Sequence, residues 1–159
     1  MEGLLVAAAA LLGATGFGLW RRRVDGRLRQ VAHSHGLALR SGASTPERDT
    51  VPTADASVIT PSELGQDLGR VATFVSFSTA FCQPCRANRQ VLGHLATTAD
   101  GVAHVEIDAE SRLDLVRALG VTRTPTTFVL DASGAVRQRA TGVLRLDDAR
   151  TAIRQVTDA

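Results

Sequence analysis

The two cysteines of the chain, Cys82 and Cys85, are its only obviously reactive side chains, and two residues separate them. Thiols at this spacing suit two kinds of chemistry: they cycle between dithiol and disulfide, or they supply two ligands to a metal. Pro84 stands directly before the second cysteine. Proline is tolerated in the first turn of a helix, where an N–H group has no acceptor to lose. The motif therefore predicts a reactive pair at the start of a helix.

A strand before this motif and a helix after it would hold the pair in that position. Residues 71–78 are a β-branched and aromatic run typical of a buried strand, and residues 87–99 have helical character. Unpaired N–H groups and the positive end of the helix dipole lower the pKa of a thiol at a helix start. We therefore expect an exposed Cys82 to be the nucleophile and Cys85, one turn later, to attack the mixed disulfide.

A second motif follows about forty residues after the cysteines, where Thr124-Pro125 leads into the strand-like run 126–130 and the turn residues 131–134. A Cys-x-x-Cys pair alone is a moderate signal, because it serves metal sites as well as redox sites. Strand, Cys-x-x-Cys, helix and then Thr-Pro before a hairpin together resemble the thioredoxin superfamily. The resemblance covers residues 56–159.

The resemblance implies a role for each matching residue. Cys82 matches the attacking cysteine and Cys85 the resolving one. Thr124 and Pro125 match the family's cis-proline loop, which lies against the cysteines and offers its backbone to an extended segment of the substrate. Phe81, next to the first cysteine, is expected on the same substrate-binding surface.

Three positions depart from the usual pattern of that family. Phe81 replaces a tryptophan, and Gln83 replaces the glycine between the cysteines, where residue type tunes the stability of the thiolate. Ser76 stands where a buried aspartate usually relays a proton to the resolving cysteine. Without that carboxylate, we expect proton transfer at Cys85 to need water or a neighbouring side chain.

The order of elements predicts an α/β fold, which the resemblance identifies as a thioredoxin fold with a mixed central sheet flanked by helices. The hydrophobic fraction of 44% is ample for its core. The helix starting at Pro61 has a capping-box signature, with Thr60 before it and Glu63 in its first turn. The predicted strands are 58–59, 71–78, 102–107, 126–130 and 135–140, and the predicted helices are 61–68, 82–99, 111–119 and 147–156. The residues expected to face inward from these helices include Val91, Leu92, Leu95, Leu113, Val116, Leu119, Ala149, Ile153 and Val156.

The N-terminus carries a different signal. Residues 3–20 form an uncharged run of 18 residues, which ends in Trp20 and is followed by three arginines. This length is near the lower limit for a helix that crosses a bilayer, and tryptophan followed by arginine is typical of the interface. A cleaved signal peptide would carry its basic residues before the run, and a buried soluble helix is the other alternative. We predict a single transmembrane anchor over residues 3–22, which makes the membrane itself a partner.

Charge predicts the orientation of this anchor. Residues 21–29 carry five arginines against one aspartate, and nothing basic precedes the run. By the positive-inside rule the N-terminus lies outside and the C-terminal domain is cytoplasmic. Residues 23–55 are predicted to be a linker. Its first part, 27–33, is able to prolong the helix, and residues 41–57 are a polar tether that gives reach. His33 and His35 lack the usual spacing of metal ligands.

The remaining composition bears on partners. Residues 57–159 hold eleven arginines and eleven acidic residues, so the domain has no basic excess for nucleic acid, and aromatic residues are few. Zinc needs four ligands, and His94 and His104 have no patterned spacing to the two cysteines. We predict no cofactor, protein disulfides as substrates, and an electron-donating reductase as partner.

Several functional alternatives stay open at this stage. The same dithiol suits an extracytoplasmic reductase for cytochrome c maturation or a disulfide oxidase, if the orientation is reversed. A copper-handling protein is a different class, because monovalent copper needs few soft ligands. An inert scaffold with unreactive cysteines is the third.

Overall fold

The computed structural model describes residues 10–20, 27–30 and 57–158. Residues 10–20 are helical and are called α1 here. Its apolar side chains are exposed; they include Leu11, Leu12, Phe17, Leu19 and Trp20. Within the described part of the chain, no helix combines the length and the apolar character that crossing a bilayer requires. The other residues of the predicted span, 3–9 and 21–22, lie outside the described part.

The remaining elements alternate as an α/β fold requires. In chain order they are β1 (Arg29–Gln30), α2 (Pro61–Leu64), β2 (Ala72–Ser78), α3 (Gln83–Thr98), β3 (Val102–Asp108), α4 (Leu113–Ala118), β4 (Thr126–Asp131), β5 (Val136–Thr141) and α5 (Leu146–Thr157).

The strands form one five-stranded sheet in the order β1-β5-β4-β2-β3. β2 and β3 are parallel, and the other neighbouring pairs are antiparallel. The mixed sheet flanked by helices is thus confirmed. A parallel pair needs a long crossover connection, and α3 supplies it between β2 and β3.

β2 is central because its sequence buries both faces of the strand. All seven of its residues are buried. Phe74 packs in a cluster with Leu92 of α3 and Ala149 of α5. Phe77, on the opposite face, packs with a cluster that includes Leu115 of α4. The strand that leads to the cysteines is therefore fixed from both sides, which positions its carboxyl end.

The outer edge of β5 is covered by two separate pieces of chain. Arg29 and Gln30 pair with Arg139 and Gln138. Ser57 accepts a hydrogen bond from the N–H of Val136 at 3.0 Å, and the N–H of Ile59 donates to Gly134 at 2.9 Å. Residues 29–30 and residues 57–59 thus both lie along this edge. The intervening residues 31–56, including His33 and His35, lie outside the described part.

This edge pairing differs from the interpretation of residues 27–33 as a helical extension. Arg29 and Gln30 are extended, because their backbone groups pair with β5. Leu28 packs against the core cluster between the sheet and α5. Two residues of the predicted linker are therefore part of the sheet.

Some predicted boundaries shift for local reasons. The capping box at Thr60 and Glu63 is present, but α2 ends at Leu64 instead of residue 68, since Gly65 adopts a left-handed φ of 68°. Residues 58–59 contribute one isolated bridge instead of a strand. α4 begins at Leu113, whose side chain is 49% exposed. Leu115 is buried, and Val116 and Leu119 pack inward as predicted, so the prediction for this helix was wrong at Leu113.

Candidate functional site

The cysteines lie where β2 feeds into α3. Cys82 is the N-cap of α3, and Cys85 is in its first turn. The two form a disulfide, with Cα atoms 5.2 Å apart. Cys82 is partly exposed, whereas Cys85 is only 3% exposed. A partner molecule can therefore reach the first sulfur, and the second is shielded by the body of the domain.

The helix start directs a donor at the first sulfur. The N–H of Cys85 donates to Cys82 Sγ at 3.2 Å, so the sulfur occupies the place of an N-cap acceptor. Gln83 and Pro84 form the first two positions of the helix, and proline removes one N–H that would otherwise lack an acceptor. In the reduced protein, this N–H and the positive end of the helix dipole favour a thiolate at Cys82.

The loop before β4 reaches the same end of the sheet. The Thr124–Pro125 peptide bond is cis, as the resemblance implies, and Pro125 is buried. The hydroxyl oxygens of Thr124 and Thr79 lie 3.5 Å apart, and the N–H of Cys82 donates to the carbonyl of Thr79 at 3.3 Å. The structure thus brings the loop with Pro125 against the segment that carries the cysteines.

Phe81 lies beside this junction and is 96% exposed. A large aromatic side chain in water costs free energy, which is recovered when a partner covers it. Phe81 does not pack in either core cluster, so it is available to a protein that approaches Cys82.

A cavity of about 340 Å³ opens beside the disulfide. One water molecule takes up roughly 30 Å³ of the liquid, so the cavity has room for several. Its lining combines both sulfurs with charged side chains: Ser78, Thr79, Ala80, Cys82, Cys85, Arg86, Arg89, Glu106 and Asp108. Water in this cavity can therefore contact the cysteines and a carboxylate at once.

Glu106 is the half-buried carboxylate of that cavity. Arg89 of α3 holds it by a two-pronged ion pair, in which Arg89 Nη2 donates to Glu106 Oε1 at 2.7 Å and Nε donates to the other oxygen. Burial alone would raise the pKa of Glu106, but hydrogen bonds from Arg89 and Ser78 lower it below its usual value. Glu106 is thus ionised at neutral pH. Asp108, in contrast, accepts the N–H of Glu110 at 3.0 Å, as a turn residue does.

Ser76 forms a polar pair with the next strand. It is 3% exposed, and its Oγ lies 2.9 Å from His104 Nε2. Burial lowers the pKa of His104, the charge of Glu106 opposes this and the charge of Arg89 adds to it. His104 is therefore neutral at pH 7. In the parallel register Ser76 pairs with Glu106, so β3 carries a carboxylate at the position beside Ser76.

The sequence did not single out Glu106, Arg89 or Asn88. Asn88 is 1% exposed and bridges three elements, since its amide donates to Thr127 Oγ1 at 3.1 Å and accepts the N–H of Leu144 at 3.0 Å. A polar residue on the inward face of α3, three positions after Cys85, is the signal that points to Asn88. The pairing of Arg89 with Glu106 joins residues 17 positions apart and has no local signal.

The side chains able to bind a metal ion are scattered over the described domain. Among residues 10–20, 27–30 and 57–158, no group of three or more His, Cys, Asp or Glu side chains is arranged to hold a metal ion.

Comparison with known proteins gives one family. The family model described as thioredoxin matches residues 57–155. A search of curated proteins found no match. Similar solved structures include a mutant thioredoxin from Halobacterium salinarum, with 23% identity and a TM-score of 0.51 over 57% of this chain and 78% of that chain. Chloroplastic thioredoxin z has 23% identity and a TM-score of 0.51, over 57% of this chain and 81% of that chain. Thioredoxin-2 of a malaria parasite has 17% identity and a TM-score of 0.51, over 58% of this chain and 90% of that chain. At these identities the structures show a shared fold.

Proposed function

The chain belongs to the thioredoxin family, and we propose on that basis that it is a thiol–disulfide oxidoreductase that reduces protein disulfides at a membrane surface. The observation that carries the proposal is the position of Cys82 Sγ. It caps α3, accepts the N–H of Cys85 and is partly exposed, whereas Cys85 is buried behind it. These are the conditions for one attacking and one resolving sulfur.

In the first step, the thiolate of Cys82 attacks one sulfur of a substrate disulfide. A Cys82–substrate disulfide forms, the substrate disulfide breaks, and the leaving sulfur departs as a thiolate. The N–H of Cys85 and the helix dipole supply the stabilisation that keeps Cys82 ionised before the attack.

In the second step, the thiol of Cys85 loses its proton and attacks Cys82 Sγ. The Cys82–Cys85 disulfide forms, and the second substrate sulfur leaves, so two electrons have passed to the substrate. Ser76 has no carboxylate to take that proton. Glu106 is ionised and lines the same cavity as Cys85, so it accepts the proton through water in the cavity.

Substrate binding uses the surface around the exposed sulfur. Phe81 covers an apolar part of the substrate, and the backbone at Thr124 and Pro125 pairs with an extended segment that carries the substrate cysteine. An electron-donating reductase then returns the Cys82–Cys85 disulfide to the dithiol, which completes the cycle without a bound cofactor.

The membrane location is supported by residues near the N-terminus. The exposed apolar side chains of α1 are followed by arginines at 21–23, which favours an anchor with the domain on the cytoplasmic side. Eight residues lie between Trp20 and Arg29 of the sheet. At roughly 3.3–3.6 Å per residue, a chain of this length spans at most about 30 Å. An anchor that ends at Trp20 would therefore keep the domain close to the bilayer.

Reduction of a disulfide-bonded protein such as insulin tests the chemistry. We expect turnover by the wild type, loss of at least about 10³-fold in Cys82→Ser, and accumulation of a mixed disulfide in Cys85→Ser, because the first step proceeds and the second does not. Equal turnover by wild type and Cys82→Ser would end the proposal.

Topology needs its own measurement. A C-terminal reporter that is active only outside the cytoplasm is expected to stay silent, and a matched fusion with a cytoplasmic reporter is expected to be active. The opposite pair of results would reverse the orientation and favour the extracytoplasmic alternatives.

A further inference from the structure

A second cavity lies along the edge of the sheet, away from the disulfide, and it is strongly basic. Its volume is about 650 Å³, within the roughly 300–1,000 Å³ of typical ligand pockets. The described residues that line it are Arg27, Leu28, Arg29, Arg123, Arg139 and Thr141; four of these six are arginines and none of the six is acidic. A concave surface with charges of one sign focuses its potential and attracts anions.

Two of the arginines come from paired strands of the sheet. Arg29 lies opposite Arg139 in the pairing of β1 with β5, which puts two like charges side by side. Arg139 is fixed further, because its guanidinium donates to the carbonyls of Leu119 at 3.2 Å and Gly120 at 2.8 Å and lies 5.2 Å from the centre of the Phe128 ring. Like charges directly opposite each other destabilise a strand pair, so an arrangement of this kind indicates an anionic occupant.

The outer arginines of the cavity are open to such an occupant. Arg27 and Arg29 are exposed, and within the described residues no carboxylate pairs with either side chain. Their side chains lie on the side of the sheet that carries Arg139, whereas Leu28 between them packs into the core.

The cavity adjoins the proposed substrate loop. Arg123 directly precedes Thr124-Pro125, and its carbonyl accepts the hydroxyl of Thr126 at 2.8 Å. Thr141 pairs with Thr126, at the end of the sheet where the cysteines lie. A peptide on the backbone of the proline loop would therefore lie close to Arg123.

We propose that this arginine cavity binds acidic side chains of the substrate protein, a few residues from its disulfide, and so selects disulfides in acidic segments. The selectivity rests on the proposed function, whereas binding of an acidic segment does not. An anionic lipid headgroup is the rival occupant, since α1 is close in sequence. The peptide is favoured because Arg123, which lines the cavity, directly precedes Thr124 and Pro125.

Binding is measured on the full chain in an uncharged detergent, with both cysteines changed to serine. The probes are fluorescent cysteine-free peptides of one length, rich in Glu, Gln or Lys. We expect the Glu peptide to bind most tightly, to weaken with added salt, and to lose about fivefold in affinity in Arg27→Gln/Arg29→Gln. The matched control, Arg150→Gln/Arg154→Gln, removes two exposed charges from α5 on the other face and is expected to keep the wild-type affinity.

Two outcomes of the binding measurement would overturn the inference. One is equal affinity of the three peptides. The other is a loss in the double variant that appears only for micelles containing phosphatidylglycerol, which would assign the cavity to lipid. Turnover of disulfide peptides with Glu or Gln flanks by the protein with both cysteines intact separates the two proposals. Binding without turnover would contradict the proposed function alone, and turnover without Glu preference would contradict this inference alone.

Discussion

The two ends of the central sheet are built differently. At one end, the turn between β4 and β5 satisfies its carboxylate completely: Asp131 accepts the N–H and hydroxyl of Ser133 at 2.8 and 2.6 Å, the N–H of Ala135 at 3.0 Å and Nε of Arg137 at 2.6 Å. At the other end, Cys82 accepts one N–H, and Phe81 is left in water. Hydrogen bonds to Asp131 stabilise the first end of the sheet. At the second end, the exposed Phe81 and the sulfur of Cys82 are available to a partner protein.

The turn at Asp131 is also tight in its backbone. Gly134 has a φ of 85°, and a Cβ there would lie 2.3 Å from the carbonyl oxygen of Ile59. Any other residue would be strained and would push away the segment that covers the β5 edge. This end of the sheet therefore depends on specific residues for stability, and the cysteine end depends on them for chemistry.

The largest expected effect separates these two roles. Asp131→Ala is expected to lower the free energy of unfolding by about 2–4 kcal/mol, because it removes four hydrogen bonds to one charge. Turnover per folded molecule is expected to stay at the wild-type level. Chemical denaturation and the disulfide reduction assay measure the two quantities. The control is Asp100→Ala, whose ion pair with Arg70 is exposed and which should change stability little.

An unchanged stability in Asp131→Ala would show that the saturated turn is not what holds this end. A large loss of turnover in the folded variant would show that the two ends are coupled.

A smaller effect is expected from the carboxylate beside the cysteines. Glu106→Gln removes the proposed proton acceptor and should slow resolution of the mixed disulfide about tenfold near neutral pH. The difference should shrink at high pH, where Cys85 ionises without help. Stopped-flow kinetics over a range of pH measure this. Glu110→Gln, an exposed neighbour outside the cavity lining, is the matched control. A deficit that stays constant across the pH range would mean that Glu106 acts on packing and not on the proton.

The smallest effect is a pH dependence of stability. Burial lowers the pKa of His104. As pH falls below about 6.5, the unfolded chain binds a proton that the folded chain excludes, so the free energy of unfolding should fall. Carboxylates whose pKa is lowered, such as that of Asp131, change the free energy of unfolding only near pH 4 and below. The change between about pH 5 and 7 is therefore assigned to His104. Denaturation of wild type and His104→Gln over this range tests it. We expect a flatter profile in the variant, and identical slopes would contradict the assignment.

Local signals in the sequence were enough for much of the fold. The apolar run of β2 and the capping box at Thr60 each act within a few residues, and the structure confirms both. The same holds for the placement of Cys82 at a helix start. The anchor over residues 3–22 and the roles of the site residues stay predictions.

Features that depend on contacts between residues far apart in the sequence could not be predicted from the sequence. β1 contains two polar residues, and only pairing with β5 makes them a strand. The ion pair of Arg89 with Glu106 joins a helix to a strand. The arginine cavity collects residues from three segments of the chain. Hydrophobic spacing gave the wrong inward residue at Leu113, because the leucines of α4 fit more than one helical face.

The central claim is that the start of α3 holds one sulfur, that of Cys82, as an accessible thiolate. Alkylation of the reduced protein at a series of pH values, with each site quantified by mass spectrometry, tests it most directly. We expect Cys82 to react first, with a midpoint well below the ordinary cysteine pKa of about 8.5, and Cys85 to be protected. Equal rates at both cysteines, with a midpoint at or above about 8.5, would contradict the claim.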